Sequence, residues 1–272
     1  MLLLKLAVTL VLAYGLLLVL AWVFQERLAF PARRARVPDP RAAGLDRGER
    51  LELLLADRTR LTGWFVPPAA PPAGGRAPGL LWFYGNGETI ATIAPILREL
   101  APPHAALLVL DYPGYGESAG RATEAGMYAT AEAAHRTLAA RPDVDAARLY
   151  VYGRSIGSAA AVRLAGRHPV AGLVLDSPFT NAWDMSRAHY GILPRFILRL
   201  SLDNLRGIRD VHCPVLLFHG TADRLAPTEM GRRIAAAAPG GVELVLIEGA
   251  GHNETYALGG RDYRDRLWRF IK

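Results

Sequence analysis

The 272-residue sequence predicts an α/β domain: a mostly parallel central sheet with helices on both faces, carrying a small helical lid and preceded by a transmembrane helix. Three observations predict it. Short apolar runs alternate with helical stretches from Gly79 onward, and near-continuous apolar strands spaced by helices belong to parallel sheets buried on both faces. A Gly-x-Ser-x-Gly pentapeptide stands between one of those strands and a run of small residues that suits a helix. Ahead of all this lies an uncharged apolar stretch at the N-terminus.

That stretch runs from Leu6 to Phe24. At about 1.5 Å per residue, a helix of this length spans the roughly 30 Å hydrocarbon core of a bilayer. A cleaved signal peptide has a shorter apolar region and a small-x-small cleavage site. Here Phe24 is followed by Gln25-Glu26-Arg27-Leu28-Ala29-Phe30-Pro31. Residues 1–30 are therefore expected to stay as a single-pass anchor in the cell membrane, with Trp22 at an interface. Arg27, Arg33, Arg34 and Arg36 on the far side lean towards a cytoplasmic position for the domain that follows, whereas the short Lys5-bearing tail also fits a signal anchor whose tail stays inside. The side of the membrane stays open. The arginines have a second reading as contacts to lipid head groups.

Beyond the anchor, the chain has room for one domain of roughly 230 residues. The net charge of +7 raises the question of nucleic acid, but only Lys5 and Lys272 are lysines and the arginines are scattered. No basic stripe is interleaved with aromatics, so nucleic-acid binding is not expected. Cys213 is the single cysteine. It allows no intramolecular disulfide and no cysteine-based metal site, and reads as a small buried hydrophobe beside a strand.

Residues 31–48 read as a linker, polar and containing Pro and Gly from Pro38 on. The α/β domain is expected over 49–272. Leu51–Leu55 and Leu61–Val66 predict an antiparallel hairpin around a charged turn. Pro67 to Gly79, with five prolines, reads as a surface loop. Strands are expected at 79–83, 105–110, 149–152, 171–175, 215–218 and 242–247. Helical stretches are expected at 90–100, 123–140, 156–167, 182–202, 228–238 and 261–271. In such sheets, ligands bind where loops leave the C-terminal strand ends.

Chemistry is accordingly sought at those ends. The strand Leu149-Tyr150-Val151-Tyr152 leads into Gly153-Arg154-Ser155-Ile156-Gly157 and then Ser158-Ala159-Ala160-Ala161. This is a nucleophile elbow in its required strand-turn-helix context, with Ser155 at the apex. A serine needs a base, and the base an orienting acid, because an unassisted hydroxyl is a poor nucleophile at neutral pH. Asp223 follows the strand ending at Phe218, and His252 follows the strand ending at Ile247. The order Ser, Asp, His along the chain is the one this elbow goes with. Asp176, after the strand ending at Leu175, is the rival acid. His219 reads as structural at a strand end, and His104, His135, His168, His189 and His212 lie elsewhere. The oxyanion hole is expected to combine the backbone N–H of Ile156 with that of Asn86, in the turn Tyr84-Gly85-Asn86-Gly87.

On these residues, together with the turn Asp111-Tyr112-Pro113-Gly114-Tyr115-Gly116-Glu117-Ser118 and Leu175-Asp176-Ser177-Pro178-Phe179-Thr180, the chain from about residue 50 resembles the α/β-hydrolase superfamily. Within it, the likeness is to membrane-anchored α/β-hydrolase-domain proteins and serine-aminopeptidase-like hydrolases. The resemblance implies hydrolysis of acyl esters or thioesters, in some members of lipids or acylated proteins. It departs from the family at Tyr84, where relatives usually carry histidine, and at Gly87, where alanine is common.

The expected activity is thus that of a serine hydrolase forming an acyl-enzyme at Ser155, with no metal or organic cofactor. Residues 181–210 are expected to form a small lid, in which Ile192, Leu193, Phe196, Ile197 and Leu200 fall on one helical face. That face either binds an acyl chain or packs the lid onto the core. The expected partners are a small-molecule acyl ester or thioester, a lipid or acylated protein among them, and the membrane. The alternatives are a serine peptidase or aminopeptidase, which would favour an acidic pocket for a substrate amine, and a catalytically silent membrane-tethered binding module on the same fold.

Overall fold

A computed structural model of the chain describes residues 1–69 and 75–272. Among the described residues, eight strands form one sheet in the order β1-β2-β4-β3-β5-β6-β7-β8. The hairpin β1 (Glu49–Leu54) and β2 (Arg60–Val66) is antiparallel, and β2 runs antiparallel to β4 (Ala106–Leu110). All further pairings are parallel, through β3 (Ala77–Phe83), β5 (Val144–Arg154), β6 (Gly172–Asp176), β7 (Val215–Gly220) and β8 (Val242–Ile247). The mostly parallel α/β sheet is the one the apolar alternation predicts.

Two-sided burial explains the unbroken apolar runs. Every residue of β3, β4, β6 and β7 is buried. Helices α2 (Ile90–Leu100) and α8 (Thr255–Phe270) pack together in one layer. In the other, α3 (Glu124–Ala139) packs on α4 (Gly157–Ala165), which touches the short α6 (Asn204–Gly207) and through it α7 (Thr228–Ala237). Aromatic stacking reinforces both levels: Trp82 of β3 lies on Tyr152 of the adjacent β5 at 3.7 Å between centroids, and Phe218 of β7 on Tyr263 of α8 at 3.9 Å, tying that layer to the sheet. The strand order reverses at β3, whose neighbours β4 and β5 lead away on opposite sides. This switch point opens the crevice in which sheets of this kind place a ligand.

Four stretches differ from the sequence-based expectation. Residues 192–200 are not one helical face. Helix α5 (Ala182–Tyr190) ends at Gly191, and only a three-residue 3₁₀ turn, Arg195–Ile197, follows Pro194. Pro194 is held extended at ψ 149°, which blocks continuation of a helix. Ile192 and Phe196 consequently point to the outside, at 64% and 82% exposure, while Ile197 is buried. Residues 31–48 are packed onto the domain: Val37 and Leu45 are buried, Arg34 bridges to Gly116, and the Trp64 indole donates to the Pro38 carbonyl at 3.2 Å. In the Pro67–Gly79 stretch, Ala77 to Gly79 already belong to β3, and residues 70–74 lie outside the described residues. Helix α8 starts earlier than expected and is kinked at Gly260.

Helix α1 (Leu2–Ala29) is long and apolar enough to cross a membrane. It has little one-sidedness in its composition, and its side chains from Leu2 to Phe24 are almost all outside the core. An evenly apolar surface suits a helix surrounded by hydrocarbon rather than one lying along an interface.

The turn after β4 is tied to the turn after β3 by a buried carboxyl. Asp111 Oδ1 accepts from the Tyr84 hydroxyl and the Ile90 backbone N–H, both at 2.8 Å, and Oδ2 has no partner among the described residues. Burial pushes the Asp111 carboxyl up to about 6, against the Ile90 and Tyr84 hydrogen bonds, which lower it; Glu117 adds to the rise and Arg50 opposes it. The folded-state value lies above the ordinary one, so folding favours the protonated form. Its contribution to stability is complete below about pH 4 and is lost as pH rises through about 6, an effect on the order of 3 kcal/mol. Asp111→Asn cannot ionise. Thermal unfolding of the detergent-solubilised protein should show wild type losing stability from pH 4 to 6.5 relative to the Asn variant, and parallel profiles would refute the coupling.

Candidate active site

The site is built on the tight passage from β5 into α4. Ser155 sits between them at φ +49°, a conformation that costs a serine on the order of 1–3 kcal/mol. The turn is held from both sides. The Ser155 N–H donates to the Asp176 carbonyl at 2.9 Å, and the Ser155 carbonyl accepts from the Ser158 N–H and hydroxyl. Asn204 of α6 in turn donates to the Ser158 hydroxyl and the Phe179 carbonyl. The flanking glycines are required by space. A Cβ on Gly157 would lie 2.3 Å from the Phe83 carbonyl oxygen and 2.6 Å from that of Tyr84, and one on Gly153 2.5 Å from the Ala161 Cβ.

Three side chains distant in sequence meet here. His252, on the loop after β8, places Nε2 2.8 Å from Ser155 Oγ and Nδ1 2.7 Å from Asp223 Oδ2, on the loop after β7. Asp223 Oδ1 accepts from the backbone N–H groups of Leu225 and Ala226. His219, at the end of β7, hydrogen-bonds the Ala226 carbonyl and lies 3.5 Å from Oδ2. Burial by itself would push the Asp223 carboxyl up, but hydrogen bonds from His219, His252 and the Ala226 N–H hold it well below the usual carboxylate range. An ionised Asp223 favours the His252 tautomer with its proton on Nδ1. Nε2 then presents a lone pair to the serine hydroxyl.

The rival acid is engaged elsewhere. Asp176 is fully buried, and its Oδ2 receives the hydroxyls of Tyr152, Tyr263 and Thr255. It holds β5, β6 and α8 together. His104 contacts the Ile271 carbonyl, His168 pairs with Glu132 and stacks on His135, and His189 contacts the Leu225 carbonyl.

Ile156 and Asn86 leave neighbouring strands at this same edge. Ile156 is buried ahead of the first turn of α4, whose positive dipole end faces the elbow. Asn86 is exposed and accepts from the Tyr115 hydroxyl at 3.3 Å. Tyr84 is fastened through both its ends: its hydroxyl binds Asp111 and the Tyr112 N–H, and its carbonyl accepts from the Tyr112 hydroxyl. A phenol at this position thus anchors the loop after β3 to the turn after β4.

One participant escaped sequence reasoning. Arg154, a variable position of the pentapeptide, is buried and pairs with Glu88 on the loop after β3. It also donates to the Asn253 side chain at 2.5 Å and the His252 carbonyl at 3.4 Å. Burial would lower its proton affinity, but Glu88 and Asp176 more than offset this. Glu88 itself accepts the Gly85 N–H at 2.6 Å. One guanidinium therefore joins the loops of β3 and β8 across the elbow. Only the pairing of a buried charge two loops away reveals this role, and no spacing in the sequence encodes it. Among the described residues, no group of three or more His, Cys, Asp or Glu side chains is arranged to hold a metal ion.

Residues 79–205 match the family described as serine aminopeptidase, S33. An uncharacterized protein of Mycobacterium tuberculosis is 36% identical over 253 residues, covering 92% of this chain and 88% of that protein. The uncharacterized protein YfhR of Escherichia coli is 28% identical over 249 residues, covering 89% and 85%. Among solved structures, the Pyrococcus furiosus esterase Pf2001 superposes with a TM-score of 0.69 at 19% identity, over 88% of this chain and 97% of that one. An acetyl xylan esterase from Paenibacillus sp. R4 superposes with a TM-score of 0.64 at 18% identity, over 91% and 98%.

The elbow's packing makes a specific demand. Gly157→Ala forces a methyl group against two backbone carbonyls that cannot turn away, so a loss of roughly 2–3 kcal/mol is expected. Urea unfolding should show a lowered midpoint, and an unchanged midpoint would mean the loop after β3 is not seated on the elbow.

Proposed function

Because this chain belongs to the α/β-hydrolase superfamily, we propose that it is a serine hydrolase cleaving an acyl ester or thioester, with Ser155 as nucleophile, His252 as general base and Asp223 as the orienting acid. The observation that carries the reading is the continuous relay from Ser155 Oγ through His252 to Asp223, at 2.8 and 2.7 Å, with the serine held at positive φ on a strand-helix turn. A structural serine has no need of that strain, and a structural histidine no need of both partners.

In the proposed cycle, Ser155 Oγ attacks the substrate carbonyl carbon as His252 Nε2 takes its proton. The negative charge that develops on the carbonyl oxygen is met by the N–H groups of Ile156 and Asn86 and by the α4 dipole. Collapse of this intermediate expels the alcohol or thiol, which takes the proton from His252 and leaves an acyl-enzyme. Water, deprotonated by His252, then attacks the acyl carbon. The carboxylic acid leaves and Ser155 regains its proton. The ionised Asp223 stabilises the imidazolium formed in each half. Arg154 acts as a positioning residue, keeping the loop of Asn86 and the loop of His252 in register. Helix α1, kept as a single-pass anchor, would hold this chemistry at a bilayer surface.

The description of the matching family favours one second reading, a serine aminopeptidase. Such an enzyme needs a free carboxylate for the substrate amine, and Glu88 at this edge is already paired with Arg154. The ester reading is therefore preferred.

Full-length protein in detergent should label with a fluorescent fluorophosphonate, and the label should vanish in Ser155→Ala and His252→Ala. Hydrolysis of p-nitrophenyl esters should fall in Ser155→Ala by about 10⁴-fold or more, as for serine triads in general. Near-normal turnover by that variant would sink the assignment. Faster cleavage of aminoacyl p-nitroanilides than of any ester would transfer it to the peptidase reading.

A further inference from the structure

The N-terminal helix does more than trail from the domain; it grips the lid. Gln25 is buried although it comes directly after the apolar run. Its amide donates to the Ile197 carbonyl at 3.2 Å, and its carbonyl oxygen accepts from the backbone N–H groups of Arg199 at 2.7 Å and Leu200 at 3.2 Å. Arg199 lies over the Trp22 ring at 4.6 Å and donates to the Trp22 carbonyl. Eleven residues earlier, and so on the same side of the helix, the Tyr14 hydroxyl donates to the Ile192 carbonyl at 2.7 Å.

These contacts fix the depth of the lid. At about 1.5 Å per residue, Tyr14 lies roughly 16 Å along the helix from Gln25, in the middle of the apolar run. A lid held at both points reaches well into the layer that the helix crosses. Its outward side chains suit that layer: Tyr190, Ile192 and Phe196 are all exposed. Irregular backbone in hydrocarbon is costly unless its polar groups find partners within the protein. Tyr14 and Gln25, two polar side chains on this face of α1, supply partners to four of them.

Between helix and lid runs a groove of about 670 Å³, lined by Leu17, Ala21, Phe24, Tyr190, Ile192 and Leu193. That is a ligand-sized volume, and its walls are almost wholly apolar. His189 also lines it and hydrogen-bonds the Leu225 carbonyl, and the Leu225 N–H binds Asp223. A lining residue of the groove is thus bonded directly to the loop that carries the proposed acid.

We propose that this groove binds the acyl chain of a bilayer phospholipid, entering sideways from the hydrocarbon layer and running towards Ser155. That the chain meets a hydrolase there rests on the function proposed above; the groove and its occupant do not. The lipid is the occupant the geometry favours, because the groove opens at the depth where acyl chains already lie.

The test uses the full chain reconstituted in phosphatidylcholine vesicles containing a trace of phosphatidylcholine with a diazirine in mid-acyl chain. After photolysis, mapped adducts should gather on residues 189–193 and on Leu17, Ala21 and Phe24. Ala21→Trp or Leu17→Trp, which fill the groove, should cut the adducts on 189–193 about tenfold while leaving those on the opposite face of α1, at Leu12 and Val19, in place. Adducts spread evenly around α1 with none on 189–193, or lid adducts unchanged in both tryptophan variants, would overturn the proposal. Fluorophosphonate labelling of Ser155 in the same vesicles is read separately. Lid adducts without serine labelling leave the groove standing and remove the hydrolase, and serine labelling without lid adducts does the reverse.

Discussion

The reactive edge of this protein depends on one close approach of backbone to backbone. Helix α4 begins so near the end of β3 that the carbonyls of Phe83 and Tyr84 occupy the space any side chain on Gly157 would need. That proximity brings the loop after β3 beside the serine, aims the first turn of α4 at the same point, and leaves Ser155 at φ +49°. The strain is held by a large parallel core: β3 and β5 are central strands, and β3 is buried along its whole length. A less rigid sheet would relax the turn and withdraw the hydroxyl from His252.

Around that contact, three buried side chains that could carry charge are each met by several partners. Asp223 has donors on both oxygens, Asp176 collects three hydroxyls, and Arg154 divides its guanidinium between a carboxylate, an amide and a carbonyl. The two acids show why chain position alone left a choice between them. Both come after apolar strands, at neighbouring places in the sheet. What separates them is that the loop after β7 turns towards β8, where His252 is, whereas Asp176 faces inward to Tyr152 and Tyr263 of the core and α8.

Much of this was legible in the sequence because period and punctuation were strong. The strands were evident as short, near-continuous apolar runs, and the elbow as glycines flanking a serine at a strand end. The same local signals mark Asn86 and Ile156 as loop residues at this edge of the sheet, without giving the distance between their N–H groups. Contacts made across long sequence separations were not legible. Arg154 reads as an arbitrary surface arginine until Glu88 and Asn253 are seen beside it. The stretch 192–200 carries apolar residues at helical spacing, yet Pro194 and the pull of Gln25 on its backbone outweigh that periodicity. Residues 31–48 look like a tether by composition, and only the folded domain supplies the hollow that Val37 and Leu45 fill.

The Gln25 amide also changes what kind of object the N-terminal helix is. A generic hydrophobic leader serves as an address, and any other stretch of equal length and greasiness replaces it. Here one side chain of that leader completes the secondary bonding of a segment some 170 residues later, as a splint completes a joint. Exchange of the leader for another, or its removal to make the domain water-soluble, therefore alters the catalytic body itself. The lid of such a trimmed molecule has lost the partner that sets its shape.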